Sequence, residues 1–194
     1  MLKGTFKENI IEAGCDEAGR GCLAGPVVAA AVIFPSGYCN PGLNDSKKLS
    51  AAKREQLQNE IRNNALAWAI GQADNCEIDE MNILKASILA MQRALSQLNL
   101  KPEHVIIDGN HFAPFQDIPH TCIVRGDTLH LSIAAASILA KTYRDALMLE
   151  MHKAFPVYGW DKNKGYPTRK HADALLRYGP SPLHRKSFKT GIYK

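Results

Sequence analysis

The chain has no Cys-x-x-Cys pair and no Cys/His spacing of the zinc-binding kind, and its five cysteines (Cys15, Cys22, Cys39, Cys76, Cys122) are an odd number. Neither a zinc module nor a disulfide-stapled secreted fold suits that set, and reduced thiols in a cytoplasmic protein are expected. Long apolar runs are missing as well. The longest, residues 27–34, is too short to cross a bilayer as a helix. The opening stretch MLKGTFKENIIEAG lacks a signal-peptide pattern, so neither export nor a membrane partner is expected. There is no internal repeat and no low-complexity tract. Acids are scarce at one end, where residues 153–194 hold ten Lys/Arg against only Asp161 and Asp173.

That basic quarter carries +8 of a total of +5, which leaves −3 on residues 1–152. An acidic body beside a basic segment suits a polyanion held against a metal site. Phe155, Tyr158, Trp160, Tyr166, Tyr178 and Phe188 interleave the charges and argue against a disordered tail. At 194 residues the chain suits one domain. We expect a core of about residues 1–150 with a basic helical appendage at about 151–194, in a monomer.

The stretch at residues 15–26, CDEAGRGCLAGP, organises the rest. Residues 10–16 read as an apolar strand closed by Asp16 and Glu17, and residues 26–34 (PVVAAAVIF) as a second strand paired antiparallel to it. Ser50 can cap a polar helix through about residue 63. Residues 65–73 suit a third strand, although their alanines leave helix open. Residues 79–98 place Ile83, Leu84, Ile88, Met91 and Leu95 at helical spacing. Residues 104–108 and 120–124 are further strands, residues 131–153 a long helix with a small-residue start, and Thr168 caps a helix ending at Gly179. Strands paired first, then strands alternating with helices, imply an α/β fold with a mixed sheet flanked by helices.

Asp16-Glu17, Asp108 and Asp127 each lie at or just beyond an expected strand end, and in α/β sheets such ends converge on one ligand-binding edge. Successive strand residues face opposite ways, so Asp16 and Glu17 share a site only if the strand distorts, which Gly19 and Gly21 would permit. Two carboxylates ~4 Å apart repel by roughly 4 kcal/mol at an effective dielectric near 20. Four are tolerable only if some protonate or a cation sits among them. All-oxygen donors select Mg2+ or Mn2+, and two such ions can serve phosphodiester hydrolysis. Arg20 adds a guanidinium suited to phosphate or carboxylate.

The motifs DEAGRG (16–21), NDSKKLS (44–50), IIDG (106–109), RGD followed by SIAAASILAKTYRD (125–145), GYPT (165–168) and YGPSPLHRKSF (178–188) closely resemble bacterial ribonuclease HII, the type 2 ribonuclease H, from about residue 10 to 188. The resemblance implies a ribonuclease H-like fold with a C-terminal helical region. It implies cleavage of RNA in RNA–DNA hybrids and incision 5′ of a lone ribonucleotide in duplex DNA, leaving 3′-hydroxyl and 5′-phosphate ends. By motif position, Asp16, Glu17, Asp108 and Asp127 are the metal-site carboxylates. Gly19, Arg20 and Gly21 would contact the 2′-hydroxyl and phosphate, and Tyr166 would stack on the following sugar. The 2′-hydroxyl is the local mark separating RNA from DNA, and bare glycine backbone can approach it. Lys47 and Lys48, and separately Arg185 and Lys186, are candidates for phosphate contacts, against a plain solvated-surface role for each. His184 is expected to be structural and Asp145 a salt-bridge partner. Two alternatives stand beside this reading: a ribonuclease HIII-like enzyme, and a non-catalytic module that binds hybrids.

Overall fold

The computed structural model describes residues 2–7, 9–43 and 49–188. Five strands form one sheet in the order β3-β2-β1-β4-β5. These are β1 (Glu12–Ala18), β2 (Val27–Ile33), β3 (Ala67–Ala73), β4 (His104–Asp108) and β5 (His120–Ile123). β1, β2 and β3 pair antiparallel, whereas β1, β4 and β5 run parallel, so the sheet is mixed as the sequence implied. β2, between β3 and β1, reads VVAAAVI and is buried along its whole length, on both faces. The alternation of β3, with Ala67, Ala69 and Ala73 buried and Trp68 turned out, settles it as a strand.

Two helical layers cover the sheet. On one face Val28, Ala30 and Val32 meet α4 (Leu131–Ala154) and α1 (Ala51–Asn64). Ser50 caps α1 as expected, accepting from the Lys53 amide at 3.2 Å. The helix is attached by Leu57 and Ile61, fully buried, each contributing about 1.5–3 kcal/mol. On the other face Val27, Ala29 and Ala31 meet α3 (Ile83–Ser96). The single helix expected over residues 79–98 is two helices. α2 (Asn75–Met81) ends at Asn82, whose φ of 74° breaks the spiral. The Asn82 carboxamide then caps α3 by accepting from Leu84 and Lys85. Asp74 and Glu77 form a capping box on α2, a signal that marks the true start.

α4 approaches β1 so closely that a methyl group on Gly14 would stand 2.4 Å from the Ser132 carbonyl carbon and 2.5 Å from the Ile133 nitrogen. The small residues of its first turns (SIAAAS) serve the same approach. Beyond α4, α5 (Trp160–Asn163) and α6 (Arg169–Tyr178) enclose a separate cluster. There Tyr158, Trp160 and Leu175 pack with Met148 of α4 and with Leu23 and Ala24, which follow β1. The basic C-terminal segment is thus anchored to the loop after β1. Among the described residues no helix is long and apolar enough to cross a membrane.

Candidate active site

The acids sit on β1 and at the end of β4. Gly14 and Asp16 face α4, and by strand alternation Cys15 and Glu17 face the other way. The parallel register pairs Cys15 with Ile107, so one step further sets Asp16 beside Asp108 at the C-terminal edge. The distortion expected after Asp16 does not occur. β1 keeps its ladder with β2 through Ala18, with Asp16 opposite Ala30 and Glu17 opposite Ala29. The two acids nevertheless feel the same neighbour, because β4 stops pairing before them and Asp108 lies within electrostatic reach of both.

Asp16 is 5 % exposed. Burial pushes its carboxyl well above the usual range, and the charges of Glu17 and Asp108 push it further; hydrogen bonds from Ser137 and from the Glu17 amide (2.7 Å) oppose the shift. Burial also raises Glu17, against the pull of Arg20, whose Nη1 meets Oε1 at 3.0 Å. The Asp108 Oδ1 accepts from the Gly126 amide at 2.7 Å. Asp127, 4 % exposed, is the next residue, in a one-turn 3-10 helix (Gly126–Thr128). Arg125 opens that turn in the left-handed region, φ 58°.

This set fits a hard divalent cation. Its donors are carboxylate oxygens, and Asp16 is buried with the charges of Glu17 and Asp108 beside it, an arrangement a cation would relieve. Among the described residues no group of three His, Cys, Asp or Glu is set as a ready-made metal cage. Mg2+ asks less than that, since it keeps several waters and takes one or two carboxylates beside substrate oxygens. A cavity of about 530 Å3 opens at the opposite end of β1, lined by Glu12, Phe34, Glu103 and Ser132, away from these acids.

Tyr166 is 38 % exposed, and its neighbour Gly165 accepts from the Leu23 amide, two residues after Gly21, at 2.8 Å. Lys141 Nζ stands 5.5 Å from its ring centroid. Gly19, with φ 95°, leaves no room for a side chain, since a methyl group there would lie 2.0 Å from Arg144 Nε. Lys186 is exposed, its amide donating to Asp79 Oδ2 at 2.9 Å. Lys47 and Lys48 lie outside the described residues. Asp145 takes the salt bridge expected of it, with Lys141 at 2.7 Å.

Arg185 is a correction. It is 2 % exposed, and its guanidinium donates to the Gly25 carbonyl (3.0 Å) and the Arg20 carbonyl (2.9 Å), so it faces the loop from inside rather than a phosphate from outside. A second buried arginine, Arg144 of α4, donates to Pro26, Lys164 and Ala24 carbonyls. The only sequence sign of that role was its place in the AKTYRD run of a helix expected to lie on the sheet.

His184 is structural, as expected, but in a network the sequence did not disclose. The Tyr166 carbonyl can only accept, so His171 Nδ1 carries a proton toward it (2.9 Å). The Ser181 amide donates to His184 Nδ1, so the His184 proton sits on Nε2 and goes to His171 Nε2 at 3.0 Å. Trp160 donates to the same nitrogen. Both rings are therefore neutral. Burial, with His171 adding, pushes His184 down to about 4, and burial lowers His171 as well. The unfolded chain thus binds these protons first, near the ordinary value of 6.5, and the neutral pair stabilises the fold fully above that pH. The contribution is lost as pH falls from about 6.5 toward 4. We expect the melting temperature of wild type to drop over that interval more steeply than that of His184→Gln, which cannot titrate. Glu77 and Asp79, lowered by their partners, add a fall common to both proteins. Parallel melting curves against pH would remove the histidine pair from the explanation.

With this geometry in view, the relatives are informative. Residues 13–191 match the family model described as ribonuclease HII. A ribonuclease HII of Parabacteroides distasonis is 60 % identical over 188 residues, 97 % of this chain and 94 % of that one. The crystal structure of ribonuclease H2 from Pyrococcus horikoshii OT3 superposes with a TM-score of 0.76 at 25 % identity, covering 93 % of this chain and 96 % of that one. The structure of Bst-RNase HIII in complex with Mn2+ has the same fold, with a TM-score of 0.77 at 21 % identity over 93 % of this chain and 67 % of that one.

Proposed function

The chain belongs to the ribonuclease HII family and is a ribonuclease H, an enzyme for the RNA of RNA–DNA hybrids, and from that premise we propose that it also incises duplex DNA on the 5′ side of a single embedded ribonucleotide. The observation that carries this reading is the bond from the Leu23 amide to the Gly165 carbonyl (2.8 Å). It sets the exposed ring of Tyr166 beside the loop that carries Gly21. A backbone able to reach a 2′-hydroxyl and a ring able to cover a sugar thus stand side by side at the acidic edge.

Asp16, Glu17, Asp108 and Asp127 would hold Mg2+ or Mn2+, and a bound pair of ions supplies an activated water and a stabilised leaving oxygen. The protein's own part is positional. Ser137 and the Glu17 amide orient Asp16, and the Gly126 amide orients Asp108. Gly19-Arg20-Gly21 approaches the ribose and its phosphate. Arg20, half-exposed and bonded to Glu17, places a cation where a phosphate would come closest to the acids. Lys186 contributes to holding the duplex. The enzyme is proposed to work in the cytoplasm as a monomer.

Incubation with Mg2+ or Mn2+ and a duplex carrying one ribonucleotide, beside an all-DNA control, tests the reading. Cleavage of the first duplex alone, leaving 3′-hydroxyl and 5′-phosphate ends and abolished by EDTA, is expected. Cleavage that persists in EDTA, or none at the single ribonucleotide, overturns it. Tyr166→Ala should lose activity on the single-ribonucleotide duplex on the order of 10-fold more than on a long RNA–DNA hybrid, because covering a sugar with an aromatic ring buries apolar surface worth about 1.5–3 kcal/mol when complete. Tyr166→Phe should lose less, since the ring does the packing. Equal losses on both substrates would mean that Tyr166 does not read the junction.

A further inference from the structure

Arg185 is a charged side chain in the interior, and among the described residues no carboxylate lies within salt-bridge distance of it. A buried guanidinium without a counterion is costly, and among the described residues Nη2 has no hydrogen-bond partner. The two bonds it does make are both to the loop that follows β1: Nε to Gly25 O and Nη1 to Arg20 O. A trans peptide unit is planar, with its carbonyl and its N–H on opposite sides. Drawing the Arg20 carbonyl inward therefore swings the Gly21 N–H outward.

The same rule operates a few residues on, where both ends can be seen. The Ala24 carbonyl is drawn to Arg144 at 3.0 Å, and the Gly25 N–H of that peptide unit points the other way, to the Leu183 carbonyl at 2.9 Å. At Gly21 the outward end has no such acceptor among the described residues. Gly21 is exposed, and a methyl group built on it meets nothing within 4 Å. The N–H is held facing open space, one residue past Arg20, whose side chain lies on Glu17.

We propose that Arg185 is a positioning residue: by holding the Arg20 carbonyl it aims the Gly21 N–H at an acceptor oxygen of the ribonucleotide. This rests on the reading of Gly19-Arg20-Gly21 as the backbone that contacts the ribonucleotide. It explains why a costly buried arginine is present where a neutral side chain could fill the volume. It also gives the loop's specificity a source 165 residues away in sequence.

Amide hydrogen exchange on the free wild-type protein, read residue by residue by NMR, tests the aim without any turnover. The Gly21 amide should exchange fast, while the amides of Leu23 and Gly25, bonded to Gly165 and Leu183 carbonyls, should be protected. A protected Gly21 amide overturns the proposal whether or not any variant folds. In Arg185→Lys, which keeps the charge but not the two-point grip, the Gly21 resonance should move. There kcat/KM on the single-ribonucleotide duplex should fall on the order of 100-fold, the penalty of a small misplacement. Unchanged kcat/KM, or a loss matched by the unfolded fraction with KM and the Gly21 resonance unmoved, overturns the proposal. If wild type fails to cut that duplex while Gly21 still exchanges fast, the failure lies with the functional reading instead.

Discussion

Asp16→Asn and Asp108→Asn should each reduce cleavage to background while the metal-free protein at pH 7 melts no lower than wild type, and for Asp16→Asn higher. The two halves of this result have one cause. Asp16 is buried beside Asp108 and one residue from Glu17, and its carboxyl is raised by burial first and by those charges second. A group whose folded pKa is raised binds its proton more tightly in the native state than in the unfolded one. For an acid, this means that the ionised form at pH 7 works against the fold. An isosteric amide removes that burden, and each kcal/mol relieved raises the melting temperature of a chain this size by about 2–4 °C. The same substitution removes a charge from the site proposed to hold the divalent ion, so activity should go as stability comes. Melting scans in EDTA alongside cleavage assays in Mg2+ check both halves. Undiminished cleavage by either variant, or a clear drop in the Asp16→Asn melting temperature, would show that these acids serve the fold instead.

Gly14→Ala should be, with Gly71→Ala, among the most damaging single-methyl changes in the sheet. The methyl group would lie 2.4–2.5 Å from backbone atoms of Ser132 and Ile133, which cannot swing aside as a side chain could. α4 must move as a body, and overpacking of this kind costs about 1–3 kcal/mol or more. The displacement also reaches chemistry, because α4 carries Ser137, the hydrogen-bond partner of Asp16. Loss of both stability and kcat is therefore expected, measured by urea unfolding and by assay at a temperature where the variant remains folded. Gly21→Ala is the control for stability: its added methyl meets nothing, and the unfolding midpoint should stay put. A Gly14→Ala protein as stable as wild type would mean that the helix and sheet are less tightly apposed than described.

The sequence displayed what is local. HVIID ends β4 in Asp108, apolar β-branched residues announced β2, and Ser50 and Thr168 cap the helices expected of them. The end of β1 was harder to place. A pair of acids reads as the end of a strand because burying them is unfavourable, yet β1 continues to Ala18. Edge position, absent from the sequence, makes their burial tolerable. The break at Asn82 was hidden by an apolar stripe that runs on through it, as α2 and α3 cover the same core. Arg185 was misplaced for a similar reason. In a stretch rich in Lys and Arg one cation looks like another, and only the carbonyls of residues 20 and 25, brought close by the fold, distinguish it. The His171–His184 pair joins side chains 13 residues apart across a turn that no periodicity announces.

The loop after β1 is held by residues that arrive very late in the chain. Leu23 is bonded to Gly165 and Arg185, Gly25 to Leu183, and the guanidinium of Arg185 spans 160 and 165 positions to reach its carbonyls. As the chain is made, then, the acids of β1 emerge well before Leu183 and Arg185, and the backbone beside them cannot take its working shape until those residues are out. Such long-range closures are the slow events of folding, since the entropy of a large loop must be spent before any contact rewards it. The nascent chain would hold its carboxylates without the means to aim them. Competence to cut would appear abruptly, once Leu183 and Arg185 have docked on the loop.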